Sequence, residues 1–303
     1  MAKRFGTVAA VSNITFQVQP ATVYGLIGPN GAGKTTTMRL ILGITEMDQG
    51  TIRHERAIDQ VPRHRLAYVP EERGLYPRMN VEEQLLLFGA LGGRTPAASR
   101  RACEHWIERL QIEPYRRRLG SDLSKGNARK VQLALALMNE PELVVLDEPF
   151  EGLDPVNVRL AKDVLREAVA GGTTFLLSSH TMDFVQDLCD GVVLVDRGHT
   201  VVSGTLEDVR ARSDRRVLRL TIKGAGDAEY ARYEQSAGLG RGTRYGPVGV
   251  RTYELKAADV VAKTTDLLLD AARAHGTVSH FSFGPPGLED VYIELVRPAA
   301  PVA

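Results

Sequence analysis

The sequence predicts an α/β fold, a mainly parallel sheet flanked by helices, followed by a small α+β domain. Three observations carry this. Strand-like apolar runs alternate with segments of helical spacing through the first two thirds of the chain. One of those runs, 143-LVVLDEP-149, is continuously apolar until two acids end it, as strands covered on both faces are. Near residue 211 the character changes, to a charged hinge and then to strands that alternate in polarity.

The elements follow in order. In 21-ATVYGLIG-28 the β-formers make a strand, glycines follow, and Met38, Ile41 and Leu42 give 35-TTTMRLILG-43 a helical period. The run 66-LAYVP-70 is a second strand. From about 80 to 140 the pattern is helical, in VEEQLLLFGALGG, ASRRACEHWIERLQI and KVQLALALMN. After LVVLDEP, residues 154–172 form a helix with Asp154 at the N-cap, Pro155 in the first position and glycines beyond the end. TTFLLSS is a strand that runs into His180, MDFVQDLCD is a short helix, and GVVLVDRG with TVVSG make two strands joined by a turn. Beyond 211-ARSDRRV-217, VLRLTIKG, RTYELKA and VSHFSF read as strands, residues 259–276 as an amphipathic helix and LEDVYIELV as a last helix. The expected domains are therefore 1–211 and 212–303.

Gross composition narrows the function. The chain has 303 residues, 43% hydrophobic and 25% charged, which fits a soluble protein of two domains. A net charge of +1 argues against a dedicated nucleic-acid binder, so no nucleic-acid partner is expected. Cys103 and Cys189 stand far apart and read as small buried hydrophobes in a reducing compartment. No run approaches the roughly 18 to 20 apolar residues that cross a bilayer, and MAKRFGTV carries no apolar signal segment. The expected location is the cytoplasm, with any membrane-spanning part supplied by another chain.

The segment 28-GPNGAGKTT-36 fits the phosphate-loop pattern G-x-x-x-x-G-K-[ST]. Phosphate oxygens must meet consecutive backbone N–H groups, so side chains have to be absent and the backbone must turn where glycine turns cheaply. Gly28, Pro29, Asn30, Gly31, Ala32, Gly33, Lys34, Thr35 and Thr36 are the expected phosphate-binding residues. Lys34 reaches the terminal phosphates, the Thr35 hydroxyl takes Mg2+, and the following helix points its positive end at the anion. A chance glycine turn is set aside by context, because the loop follows a strand and opens a helix. At the end of LVVLDE, Asp147 falls where the phosphate loop also emerges and is expected to hold Mg2+, through water; Glu148 is placed to polarise an attacking water. A second anion-holding segment, 123-LSKGNARKVQ-132, puts Ser124 and Gly126 just ahead of a helix.

Together the phosphate loop, LSKGNARKV, LVVLDEP, 152-GLDP-155 and 177-LSSH-180 come in the order and spacing of the ATPase subunits of ABC transporters, which residues 1–210 resemble closely. The resemblance implies a P-loop NTPase core with a helical signature subdomain, and ATP and Mg2+ as ligands. The segment 70-PEERGLYP-77 together with LSKGN is similar to exporter-type members related to sodium and drug-efflux systems. The end, 284-GPPGLEDVYIELV-296, is similar to a small C-terminal domain often fused to them, with a dimerising or regulatory role.

In that family two subunits pair head to tail, and ATP lies between the phosphate loop of one and the LSKGN segment of the other. The resemblance thus implies a homodimer in which Ser124 and Gly126 meet the γ-phosphate across the interface. A separate transmembrane permease would be touched near Glu71–Pro77 and by helices at 81–120, so membrane contact on the cytoplasmic face comes only through it. Position by position, Glu148 is the catalytic base and His180 contacts the γ-phosphate. Asp154 lies in the loop that crosses the interface, and Phe5 stacks on adenine.

Three departures stand out. Glu71 replaces the usual glutamine that offers an oxygen to Mg2+; a carboxylate still serves, unless it is simply a solvated charge paired with Arg73. Ala128 and Arg129 replace two glutamines, with the expectation of weaker polar contacts at the interface. The chain opens at MAKRFG, so the expectation is a missing edge strand or a late start, either of which bears on Phe5. Two other functions fit less well. Ribosome- or DNA-acting relatives carry doubled motifs or long coiled coils, absent here. A regulator without turnover is disfavoured by the presence of both Glu148 and His180.

Overall fold

The computed structural model describes residues 1–53, 62–72, 74–213, 215–237, 239, 242–245, 250–256, 269–270 and 272–296. The chain divides into two compact units, Met1–Leu206 and Glu207–Ala303; the boundary expected from sequence stood at 211 and 212.

The first unit is organised around a six-stranded sheet of order β4-β5-β6-β3-β7-β8. Its strands are β3 (Val23–Ile27), β4 (Leu66–Val69), β5 (Leu143–Leu146), β6 (Thr174–Ser179), β7 (Gly191–Asp196) and β8 (His199–Thr205). All pair in parallel except β8, which turns back antiparallel on β7. All five residues of β3 are buried, because helices cover both faces of a parallel sheet and leave no solvent side for polar residues. Leu26 and Ile27 are fully enclosed, and each contributes about 1.5–3 kcal/mol. Around them Met38, Leu40 and Leu42 of α1 (Lys34–Ile41) and its C-cap pack with Val145, Leu176 and Val193.

A group of helices, α2 (Val81–Leu91), α3 (Pro96–Arg109) and α4 (Lys125–Leu137), forms between β4 and β5. Each starts on a cap. Asn80 and Glu83 form a reciprocal capping box on α2, Thr95 caps α3, and Ser124 caps α4. Next come α5 (Pro155–Ala170), capped by Asp154, and α6 (Met182–Leu188). Near the N-terminus β1 (Lys3–Phe5) and β2 (Val8–Val11) make their own antiparallel pair. Phe5 therefore closes a strand, although that strand is short and stands outside the main sheet.

The second unit, which follows Leu206 and begins within α7 (Leu206–Arg210), has a four-stranded antiparallel sheet of order β10-β11-β9-β12. Its strands are β9 (Arg215–Ile222), β10 (Thr243–Tyr245), β11 (Val250–Lys256) and β12 (Val278–Gly284). Alternate residues Leu218, Leu220 and Ile222 of β9 pack with Tyr253 and Leu255 of β11 and with Tyr230 and Tyr233 of α8 (Asp227–Ala237). The last helix is α9 (Leu288–Val296), anchored by Leu288 and Val291. Most of the helix expected over 259–276 lies outside the described residues.

The order of the main sheet positions the site. Ile27 lies opposite Ser179, Leu146 opposite Leu177, and Val69 opposite Leu146. The residues that leave β3, β4, β5 and β6 therefore emerge along one carboxyl edge, and they are Gly28, Pro70, Asp147 and His180.

Candidate functional site

The phosphate loop leaves β3 under tight steric control. A Cβ on Gly28 would stand 2.2 Å from the Val195 carbonyl oxygen. Gly33 has φ +99° and its Cβ would meet the Ala10 carbonyl oxygen at 2.4 Å, so both the turn and the space demand glycine. Gly33 caps α1 with no side-chain bond, and the first turn of α1 carries no acid. Its first-turn N–H groups and positive end are of the kind that can hold an anion. Lys34 is only 8% exposed, and its ammonium donates to the carbonyls of Gly28 at 2.7 Å and Pro29 at 3.1 Å. Burial pushes the Lys34 amine below the usual lysine range, against the pull of Glu148, Asp147 and Glu71.

Asp147 is the hub of the carboxyl edge. It is buried, and an unpartnered buried carboxylate would cost several kcal/mol. The Thr35 hydroxyl donates to its Oδ2 at 2.8 Å and the Ser178 hydroxyl to its Oδ1 at 2.5 Å, while the Tyr68 hydroxyl stands 3.5 Å away. Burial, and after it the Asp147 charge, push the Tyr68 phenol up. Ser178 also accepts the Glu148 N–H at 2.9 Å, so one hydroxyl on β6 fixes both acids at the end of β5. Sequence reasoning missed this role. Its only signal was a hydroxyl two residues ahead of His180 in the strand beside LVVLDE.

Glu148 has φ +48°, a left-handed turn uncommon for a residue with a side chain. His180 Nδ1 lies 3.0 Å from its Oε2. A groove of about 590 Å3 collects these groups: it is lined by Ala10, Asn30, Gly31, Gly33, Lys34, Thr35, Thr36, Glu71, Asp147, Glu148 and His180, among others. Glu71 comes into it from the loop after β4. Arg73, its alternative partner, lies outside the described residues.

Other expected site residues, Gly28, Pro29 and Ala32 among them, are not in the lining of this groove. Phe5 is 52% exposed, with the Lys3 ammonium 5.6 Å from its ring centroid. Ser124 caps α4, its hydroxyl accepting the Asn127 N–H at 3.3 Å, and Lys125 pairs with Glu151 at 2.7 Å. Asp154 uses both oxygens on the first turn of α5, accepting the N–H of Val156 at 3.0 Å and of Asn157 at 2.9 Å on one and the Asn157 amide on the other. Hydrogen bonding holds the Asp154 carboxyl below the usual range. None of Phe5, Ser124, Gly126 or Asp154 lines the groove. Ala128 and Arg129 are both buried within the chain.

The donor set suits Mg2+. It consists of hard oxygens from Thr35 and Asp147, with Glu71 lining the same groove. Among the described residues no group of three or more His, Cys, Asp or Glu forms a dedicated metal cage. That accords with an ion that keeps waters and takes most ligands from phosphates. Among the described residues no helix is long and apolar enough to cross a membrane.

Comparison with known proteins agrees with this geometry. Residues 11–151 match the ABC transporter family model. The uncharacterized ABC transporter ATP-binding protein YhaQ of Bacillus subtilis is 33% identical over 97% of this chain and 96% of its own length. Nod factor export ATP-binding protein I of Burkholderia lata is 38% identical over 67% of this chain and 68% of its own. A solved structure described as an ATP binding subunit of an ABC transporter is 31% identical, with a TM-score of 0.65 over 70% of this chain and 90% of that one.

Proposed function

The chain belongs to the ABC transporter family of ATP-binding subunits, and from that membership we propose that it drives an exporter by pairing head to tail with a second copy against a separate permease. As a member it binds and hydrolyses ATP. The observation that carries the reading is the meeting of Lys34, Thr35, Asp147, Glu148 and His180 on one groove at the carboxyl edge of the sheet. The exporter direction is supported by the Nod factor export relative. In this reading the chain sits on the cytoplasmic face of the membrane and touches it only through the permease.

The residues divide the work. The loop N–H groups and the start of α1 bind the phosphates, and Lys34 exchanges the carbonyls of Gly28 and Pro29 for the β- and γ-phosphate oxygens. Thr35, Asp147 and Glu71 would hold Mg2+, which would supply charge neutralisation for the phosphates. Glu148 orients the attacking water and takes its proton. His180, held by Glu148 through Nδ1, leaves its other ring nitrogen for the γ-phosphate. Phe5 stacks on the base. Ser124, Gly126 and the loop around Asp154 complete the site of the partner copy.

The test is Glu148→Gln in the full chain. Binding of Mg-ATP should stay within about twofold while turnover falls by at least about a hundredfold. ATP should then hold the variant as a stable dimer in light scattering. Turnover equal to the parent's would remove Glu148 from the mechanism.

A further inference from the structure

Three successive carbonyls on the loop after β4 are taken by one helix. Arg129 Nη1 donates to the Pro70 oxygen at 2.6 Å, its Nη2 donates to the Glu71 oxygen, and Gln132 Nε2 donates to the Glu72 oxygen at 3.0 Å. Arg129 Nη1 also donates to Gln132 Oε1 at 3.3 Å, which joins the two side chains. The positions are i and i+3 on α4, one face of the helix. Both side chains are 4% exposed. A buried guanidinium is costly unless its donors are matched. Here it also lies within the field of Glu151, Glu71, Asp147 and Glu148, which partly offsets the loss of water.

We propose that Arg129, with Gln132, is a positioning residue for Glu71, coupling the placement of that side chain to the movement of the helix that Ser124 caps. The inference rests on the reading that Glu71 serves the phosphate-metal site and that Ser124 meets the partner's nucleotide. Residues 71 and 72 belong to no helix or strand, so these bonds do for them what a sheet ladder does for Val69. With the carbonyls of 70–72 turned to α4, the Glu71 side chain is left to the groove, which it lines. Ser124 and Arg129 are five residues apart, about 7.5 Å along a hydrogen-bonded rod. A push on the Ser124 end therefore reaches the Glu71 backbone without passing through solvent. The geometry needs arginine. A planar fork reaches two carbonyls at once, whereas a glutamine at 129 is shorter and offers a single amide nitrogen.

The experiment is a double-mutant cycle in the full-length protein, with Arg129→Met, Glu71→Ala and the pair. The measurements are kcat, KM for ATP, the free Mg2+ that gives half-maximal turnover, and the melting temperature without nucleotide. Arg129→Met should lower kcat about tenfold or more, raise the Mg2+ requirement, and leave KM for ATP within about threefold. In the Glu71→Ala background the same change should alter kcat by less than about twofold, because the group it positions is gone. If Arg129→Met does not fold, Arg129→Gln carries the same cycle with a smaller effect. An equal loss of kcat on both backgrounds overturns the inference, since Arg129 would then act on the fold alone. If Glu71→Ala by itself changes neither kcat nor the Mg2+ requirement, the assignment of Glu71 falls and this inference with it. The Glu148→Gln outcome is independent of both.

Discussion

Two segments of this chain place glycines at the start of a helix, 28–36 running into α1 and 123–129 running into α4, and they are built on different terms. In the first, the chain's own atoms explain the residue choices. The Val195 and Ala10 carbonyls press on Gly28 and Gly33, the backbone at Gly33 is left-handed, and Lys34 is sealed against its own loop. In the second, Arg129 has its partners inside the chain, but little within the chain demands the residues at 124 and 126. Gly126 sits in a regular helix, and a Cβ there would meet the Gly152 carbonyl oxygen at 3.2 Å, a tight but yielding contact. Ser124 is an ordinary cap. In the proposed reading the first segment serves this chain's own nucleotide and the second that of a partner copy.

The strongest way to break this contrast is to damage each segment separately. Lys34→Ala should lower ATP affinity by about a hundredfold or more, since the amine would no longer face the terminal phosphates. Ser124→Arg should leave nucleotide binding to the single chain within about twofold yet abolish ATP-driven pairing and turnover. Mixed together, the two variants regain one intact composite site, so hetero-pairs should reappear in light scattering. A Ser124→Arg protein that pairs normally on ATP would end the distinction.

A smaller effect sharpens it. Gly33→Ala combines a clash with a strained backbone and should cost about 2–3 kcal/mol of stability, read as a lower melting point. Gly126→Ala places a better helix former at an unstrained position and should move stability by less than about 1 kcal/mol. Pairing on ATP should nonetheless weaken severalfold. A further modest change is expected at Phe5. Phe5→Ala removes a half-exposed stacking surface worth about 1 kcal/mol, so KM for ATP should rise about fivefold, with pairing at saturating ATP unaltered.

Legibility in the sequence followed the same divide between local and distant causes. Lys34, Thr35, Asp147, Glu148 and His180 could be placed because each follows a strand end within a few residues, and a parallel sheet brings such ends to one edge. Ser178 could not, because its role depends on the register of β5 against β6. Arg129 was placed by resemblance at an interface; its partners lie 58 and 59 positions away, and no pattern within α4 announces them. In the second unit, α8 was overlooked because the face it buries is made of Tyr230 and Tyr233, which read more readily as strand formers. β1 and β2, of three and four residues, were too short to register.

The resting position of Lys34 has a consequence for how nucleotide arrives. A bare ammonium would have to shed its water at the moment of capture, and would bind more weakly for it. Here much of the dehydration is completed during folding, with the carbonyl oxygens of Gly28 and Pro29 as the amine's partners. Arrival becomes an exchange of one set of oxygens for another that carries more charge. The amine is thus dehydrated in advance, and the cost falls on the stability of the fold and not on each turn of the cycle.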